Sequence, residues 1–467
     1  MSLIYFYHFT ILICLFHLNF QKLLFVNIHF RHGARSSLIL IDKHNRDLLG
    51  NIWEKRGILT SKGKRQVFLN GIKHREKYSH FLSNKYIEDE IKAYSTDSYR
   101  SISSLECYLN GLYQNNDNIT DNILKKEDTV YPPGNMSINM INQVEELDLN
   151  VIPKDNHIIP INIFQKSDHS FVLHEPKKIS DCQKIAEIRE ENVIINHINE
   201  KAKIFEEKYS DKLDKFFLLN NISLNNIQFN NQKSCLFFKY TFYLIGLFCD
   251  TLYADFIDKK NISILIKDLD FDELYNDCLN FLSMIQSDYV SGNKDVVYMS
   301  QSPPIKKLIS WMEQRIELDK KGKTDDIISG FPRFTIWSGH DSSISTFEKF
   351  MKQVFSTKWI FPEFSSTILF ELHKNDETQL YEIKYFVNDE LLLTANYDDF
   401  KNKVMNVIWT DEEIEKFCQF SIIHIDKMKL EAEKYHIIII VLIILLIVSN
   451  CFNLYNWFKR IKKIKEN

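Results

Sequence analysis

The sequence predicts an α/β fold, on three observations. Three short apolar runs rich in β-formers, Leu24–Ile28, Ile91–Ser95 and Phe334–Ser338, each stop at a charged cluster. Helical patterns follow, as where Ile102, Leu105, Leu109 and Leu112 recur at helical spacing. Between the second and third runs lies a long polar stretch with helical patterns of its own, which reads as an insertion. Strands interleaved with helices build a sheet with helices on its faces. Ligands of such sheets bind outside the carboxyl ends of the strands.

Taken in order, residues 1–22 read as a signal peptide, because Met1–Phe20 lacks charged side chains and Thr10–Phe16 is a short apolar core. The first strand follows from about Leu23. Trp53 to Tyr78 reads as largely helical after the turn Gly57–Thr60, with Thr60 as its N-cap. After Ile91–Ser95, Thr96 or Asp97 can cap the next helix; for Asp97 the cap is favoured over a role orienting an arginine. That places Arg100 in its first turn, where free N–H groups and the helix dipole favour an anion. From about 131 to 330, helices such as Phe237–Phe256 are expected to form a cap. The third strand leads into Gly339-His340-Asp341.

Ile437–Val448 is an unbroken apolar run that extends to Trp457, reaching the roughly 20 residues that span a bilayer. A transmembrane helix is expected over 437–457. Lys459, Arg460, Lys462, Lys463 and Lys465 then form a basic tail over 458–467, cytosolic by the positive-inside rule. The expectation is a single-pass type I membrane protein. Its domain, 23–430, would be luminal or extracellular, in a lysosome-like compartment or at the cell surface.

The chain has 467 residues and a formal charge of −4, with 45% hydrophobic and 26% charged residues, enough for an ample core. The tail from Trp457 carries five basic residues and one acid, which leaves −8 on everything else. Such a surface excludes a nucleic-acid partner. Four N-x-S/T sequons, at Asn118, Asn135, Asn221 and Asn261, lie between the hydrophobic ends. Cys107, Cys182, Cys235, Cys249, Cys278 and Cys418 form an even set between those ends, which suits disulfides in an oxidising compartment without revealing their pairing. No C-x-x-C pair is present, so neither a zinc site nor any other metal is expected.

The chemistry concentrates at the strand ends. Arg31-His32-Gly33-Ala34-Arg35 sets two fork-shaped cations, suited to phosphate oxygens, beside an imidazole able to attack phosphorus. An isolated tripeptide of this kind would be a basic turn. Its weight comes from Arg100 and His340-Asp341 at the other two strand ends. His44, His74, His169 and His174 read as structural or solvent-exposed.

The combination of Arg31-His32-Gly33-Ala34-Arg35, Ser95-Thr96-Asp97-Ser98-Tyr99-Arg100 and Gly339-His340-Asp341 resembles the histidine acid phosphatases. These are the branch of the histidine phosphatase superfamily that includes lysosomal and prostatic acid phosphatases and phytases. Gly57–Gly63 and Pro362–Glu371 add lesser matches. The likeness runs from about Leu23 to the region of Cys418. One departure is Ser37, where the family pattern has proline.

The resemblance implies a three-layer sandwich around a mixed, mostly parallel sheet, with an α-helical cap. It implies that His32 attacks phosphorus to give phosphohistidine and that Arg31, Arg35 and Arg100, helped by His340, bind the phosphoryl oxygens. Asp341 would protonate the leaving alcohol. No cofactor is implied. The expected function is a membrane-anchored acid phosphatase acting on small-molecule phosphate monoesters. The alternatives are a phytase-like or inositol-polyphosphate phosphatase, and an inactive ectodomain serving as a receptor or adhesion module. The assembly, a homodimer included, is left open.

Overall fold

Gln21–Arg31 forms β1, an 11-residue strand buried from Leu24 onward. Its apolar run has to be covered on both faces, which suits the interior of a sheet flanked by helices. The computed structural model describes residues 21–38, 55–113, 159–164, 182–189, 192–219, 242–260 and 271–418. The signal segment to residue 20, the span 437–457, the basic tail and all four sequons lie outside the described residues. β1 itself starts two residues before the boundary drawn from the sequence.

The other strands are β2 (Ile91–Thr96), β3 (Ile161–Phe164), β4 (Phe334–Gly339), β5 (Thr367–Asn375), β6 (Tyr381–Val387) and β7 (Glu390–Asn396). They form one sheet in the order β3-β2-β4-β1-β5-β6-β7. The pairs β3–β2, β2–β4 and β4–β1 are parallel. The pairs β1–β5, β5–β6 and β6–β7 are antiparallel. The expected mostly parallel sheet is therefore parallel only in its first half. For β5–β6 and β6–β7 the reason is local: these strands are joined by short turns, and short turns can only reverse a strand.

The described helices are α1 (Ser61–Lys77), α2 (Tyr99–Leu112), α3 (Gln183–Arg189), α4 (Asn192–Leu219, kinked at Tyr209), α5 (Phe242–Asp258), α6 (Phe271–Met284), a π-helical turn (Ile285–Val290), α7 (Lys294–Lys320), α8 (Asp341–Phe355) and α9 (Tyr397–Met405). On one sheet face, Val26, Ile28 and Phe30 pack with Val67 of α1 and Leu105, Leu109 and Leu112 of α2. On the other, Phe25, Trp337 and Phe370 pack with Trp311 of α7, Phe347 of α8 and Phe400 of α9. These are the three layers the sequence led one to expect. Thr60 caps α1 as read, its Oγ1 accepting from Gly63 N at 3.1 Å.

The insertion is less uniform than a cap over 131–330. α4, α5 and α6 share their own core, built on Phe205, Phe216, Phe248, Leu252 and Phe281. β3 instead extends the main sheet, and α7 covers its face. The π-helical turn ends the cap, and Asn293 then restarts the chain as α7 by accepting from Asp295 N and Val296 N. Within the cap core, Cys249 of α5 and Cys278 of α6 are both buried.

The described residues 182–188 and 410–418 belong to a second compact unit. Its described part holds most of α3 and the disulfide Cys182–Cys418. Among the described residues Cys107, Cys249 and Cys278 are free thiols, and no helix is long and apolar enough to cross a membrane.

Candidate active site

The three charged clusters meet because their strands are neighbours. β4 lies between β1 and β2, with Arg31 opposite Gly339 and Ser95 opposite Ser338. All three are parallel, so their carboxyl ends share one edge of the sheet. His32 N donates to Gly339 O at 3.0 Å, continuing the ladder past the end of β1.

The loop after β1 is held on every side. Gly33 N donates to Ser104 Oγ of α2 at 3.1 Å, and Ala34 N to Gln66 Oε1 of α1 at 2.9 Å. Thr60 N donates to Ala34 O at 3.0 Å, and Ser36 N to Ile58 O at 2.8 Å. This clasp explains two glycines. A Cβ on Gly33 would sit 2.2 Å from Gly63 O, and one on Gly63 would sit 2.0 Å from Ala34 O. Only backbone without side chains can approach so closely. The Gly57–Gly63 match is the other jaw of this clasp.

His32 is buried. Its Nδ1 lies 2.9 Å from Gly33 O. A carbonyl can only accept, so Nδ1 carries the proton and Nε2 keeps its lone pair. Burial, then the positive charges of Arg100 and Arg31, with His340 and Arg35 behind them, hold its pKa well below the ordinary histidine value. The ring is therefore a neutral nucleophile in a cationic setting.

Arg31 is buried, its Nη1 donating to Pro362 O at 2.7 Å and its Nη2 paired with Asp341 Oδ2 at 2.9 Å. Its guanidinium lies 4.2 Å from the centre of the Phe364 ring. Phe364 belongs to the Pro362–Glu371 match, and Ser365 beside it donates its N–H to His32 O at 3.1 Å. Arg35 forks onto Asp250 of α5, with Nη2 to Oδ1 at 2.7 Å and Nη1 to Oδ2 at 3.1 Å. Burial opposes the Arg35 charge, but Asp250 outweighs it and raises the pKa. The Nε atoms of Arg31 and Arg35 are buried without a hydrogen-bond partner among the described residues.

Arg100 reaches the site from the first turn of α2, as the spacing predicts. Its Nη2 donates to His340 Nδ1 across 3.3 Å, so the His340 proton sits on Nε2, which donates to Thr96 Oγ1 at 3.1 Å. The rings of His32 and His340 meet edge to face at 5.5 Å. His340 is the N-cap of α8 and Asp341 its first residue, with Oδ1 accepting from Ser342 N at 2.8 Å. The α2 N-cap is Ser98, not Asp97 or Thr96. Thr96 is drawn to His340 instead, and Asp97 is exposed.

All six residues singled out in the sequence, Arg31, His32, Arg35, Arg100, His340 and Asp341, thus converge. Asp250 was not foreseen: it sits in a strongly apolar helix far from any motif, and no spacing marks it. Ser37 is also better defined than the sequence suggested. It is fully buried, and its Oγ lies 2.8 Å from Thr251 Oγ1. Thr251 spends its own hydrogen on Leu247 O at 2.9 Å, so Ser37 is the donor. His74 is structural as read, buried and bonded to Tyr108 Oη at 2.6 Å. Among the described residues no group of three or more His, Cys, Asp or Glu side chains could hold a metal ion.

A parallel-strand edge that gathers three arginines around a neutral histidine defines an anion-handling α/β protein. The family model of the histidine phosphatase superfamily (branch 2) matches residues 22–388, and the chain belongs to that superfamily. Testicular acid phosphatase of Homo sapiens is 36% identical over 94 residues, 20% of this chain and 22% of that protein. Its Mus musculus counterpart is 37% identical over 94 residues, with the same coverage of 20% and 22%. The matched segment spans about a fifth of the length of these relatives. The phytase from Citrobacter braakii shares the fold, with a TM-score of 0.50 at 11% identity over 83% of this chain and 98% of that one.

Proposed function

We propose that this protein is an acid phosphatase that hydrolyses phosphate monoesters through phosphohistidine at His32. The observation that carries this is the state of His32: neutral, with its proton fixed on Nδ1 by Gly33 O, and ringed by Arg31, Arg35 and Arg100. The Nε2 lone pair attacks phosphorus as the ester oxygen leaves, and Asp341 gives that oxygen its proton. Water then attacks phosphohistidine, and the Asp341 carboxylate takes the water's proton, releasing phosphate and restoring His32. An alkoxide is a poor leaving group, so this acid is worth roughly 10²–10⁴-fold. The arginines hold the anion and meet the charge that develops in the transition state. Asp341 is ion-paired with Arg31. Phosphoryl oxygens that take Arg31 would compete with Asp341 and free it to face the leaving group. His340 orients Arg100 by accepting from its Nη2 at Nδ1.

The full chain should hydrolyse p-nitrophenyl phosphate at acidic pH in the presence of EDTA. His32→Ala should remove the activity; wild-type rates in that variant would sink the mechanism. Asp341→Asn should slow alkyl phosphates more than p-nitrophenyl phosphate, whose leaving group needs no acid. Equal slowing of both would take Asp341 out of that role.

The same reading includes a single membrane span over 437–457, with the phosphatase domain on the non-cytosolic side. The apolar run, the basic residues after it and the Cys182–Cys418 disulfide support it. Alkaline carbonate extraction of membranes carrying the full chain tests the anchor; release into the supernatant would remove it.

A further inference from the structure

The phosphate-binding loop is tied to the cap by two consecutive residues of α5. Asp250 takes both terminal nitrogens of Arg35, and Thr251 takes the hydroxyl proton of Ser37. Both ties are buried or nearly so: the Arg35 and Asp250 side chains are 4% and 14% exposed, and Ser37 is fully covered. An arginine side chain has four rotatable bonds, and its value at an anion site depends on where the fork is aimed. The aromatic wall alone does not aim it: the Phe364 ring centre lies 5.7 Å from the guanidinium and fixes no direction in the plane. Two parallel N–H···O bonds do. At Ser37 the fixed φ of proline is missing, and a hydrogen bond donated to Thr251 of α5 stands where that restraint would act.

We propose that Asp250 is a positioning residue of this site. It aims Arg35 at the bound phosphoryl group and, with Thr251 and Ser37, makes the set of the catalytic loop depend on α5 of the cap. This rests on the phosphatase reading. Its consequence is that the geometry of phosphate binding is fixed partly from the insertion rather than from the sheet alone.

Two substitutions in the full chain separate aim from charge. Asp250→Asn keeps the volume and one oxygen acceptor but loses the charge and the second oxygen. Asp250→Glu keeps the charge and displaces the carboxylate by one methylene. If Asp250 positions Arg35, both variants should lose about 10–10²-fold in kcat/KM, since small misplacements at a reacting centre cost that much. Both should also bind inorganic phosphate, read as a competitive Ki, more weakly. Melting temperatures of the two variants, measured alongside, report folding separately, so the losses are counted per folded molecule. Wild-type kcat/KM in Asp250→Glu would overturn the proposal, because charge neutralisation alone would then suffice. Tighter phosphate binding in Asp250→Asn would overturn it too, since Asp250 would then merely shield Arg35. A wild-type chain that neither turns over p-nitrophenyl phosphate nor binds phosphate would fail the phosphatase reading instead.

Discussion

His32 sits in the one protonation state that a cationic site favours. Burial comes first, and Arg100 and Arg31 add to it, so the ring resists protonation at pH values where a solvent-exposed histidine would be charged. The sign is definite: a lowered pKa leaves the ring neutral as pH falls, as the proposed acid phosphatase reaction would require. We expect the Cε1–H resonance of His32 to show no titration near pH 6.5, with its midpoint well below. Arg100→Ala, which removes the largest of the charge contributions, should move that midpoint upward. A titration near 6.5 in the unsubstituted chain would contradict this account. Most of this was legible in the sequence, since Arg31, His32, Arg35 and Arg100 each sit beside a strand end. What was not legible is the partner set. Asp250 is fixed by a tertiary contact of which its sequence neighbours hold no trace, while Pro362 and Thr96 lie in matched segments whose pairing with Arg31 and His340 only the fold reveals.

At the level of elements, the strand–helix units of the parallel half could be read from apolar runs and caps. The antiparallel half was open to the same treatment. Asn388 and Asp389 form a two-residue hairpin loop with φ of 47° and 69°, and such an Asn-Asp pair between two alternating runs is a hairpin signal. Helix α8 carries its own consequence. Glu348 is buried on it, and burial raises its pKa to about 8 although Ile360 N donates to it at 2.9 Å. A carboxyl near 4.5 when unfolded and near 8 when folded supplies stability that is whole below pH 4.5 and is lost as pH rises to 8. Buried His29 and His74, lowered by burial to about 3, act the other way and cost stability below pH 6.5. The two effects separate in a variant. Glu348→Gln should gain melting temperature over the unsubstituted chain at pH 8 and show little difference at pH 4.5. Equal offsets at the two pH values would show that Glu348 titrates as an ordinary carboxyl.

For the whole molecule, the disulfide Cys182–Cys418 joins positions 236 residues apart. Six cysteines between the hydrophobic ends suggested pairing, but an even count cannot say which partners meet. Both ends of this bridge lie in the second compact unit, whose described part is small and brings together two stretches of chain far apart in sequence. Closing so long a loop removes much of the freedom of the unfolded chain and is worth roughly 2–5 kcal/mol. The six residues of the active site lie in the other unit. We therefore expect Cys418→Ser, or treatment with reductant, to lower the melting temperature of the full chain while kcat/KM at 25 °C stays close to that of the oxidised protein. Peptide mapping without reduction should recover the Cys182–Cys418 pair and leave Cys107 open to alkylation after denaturation. An unchanged melting temperature on reduction would mean that the unit holds without its bridge.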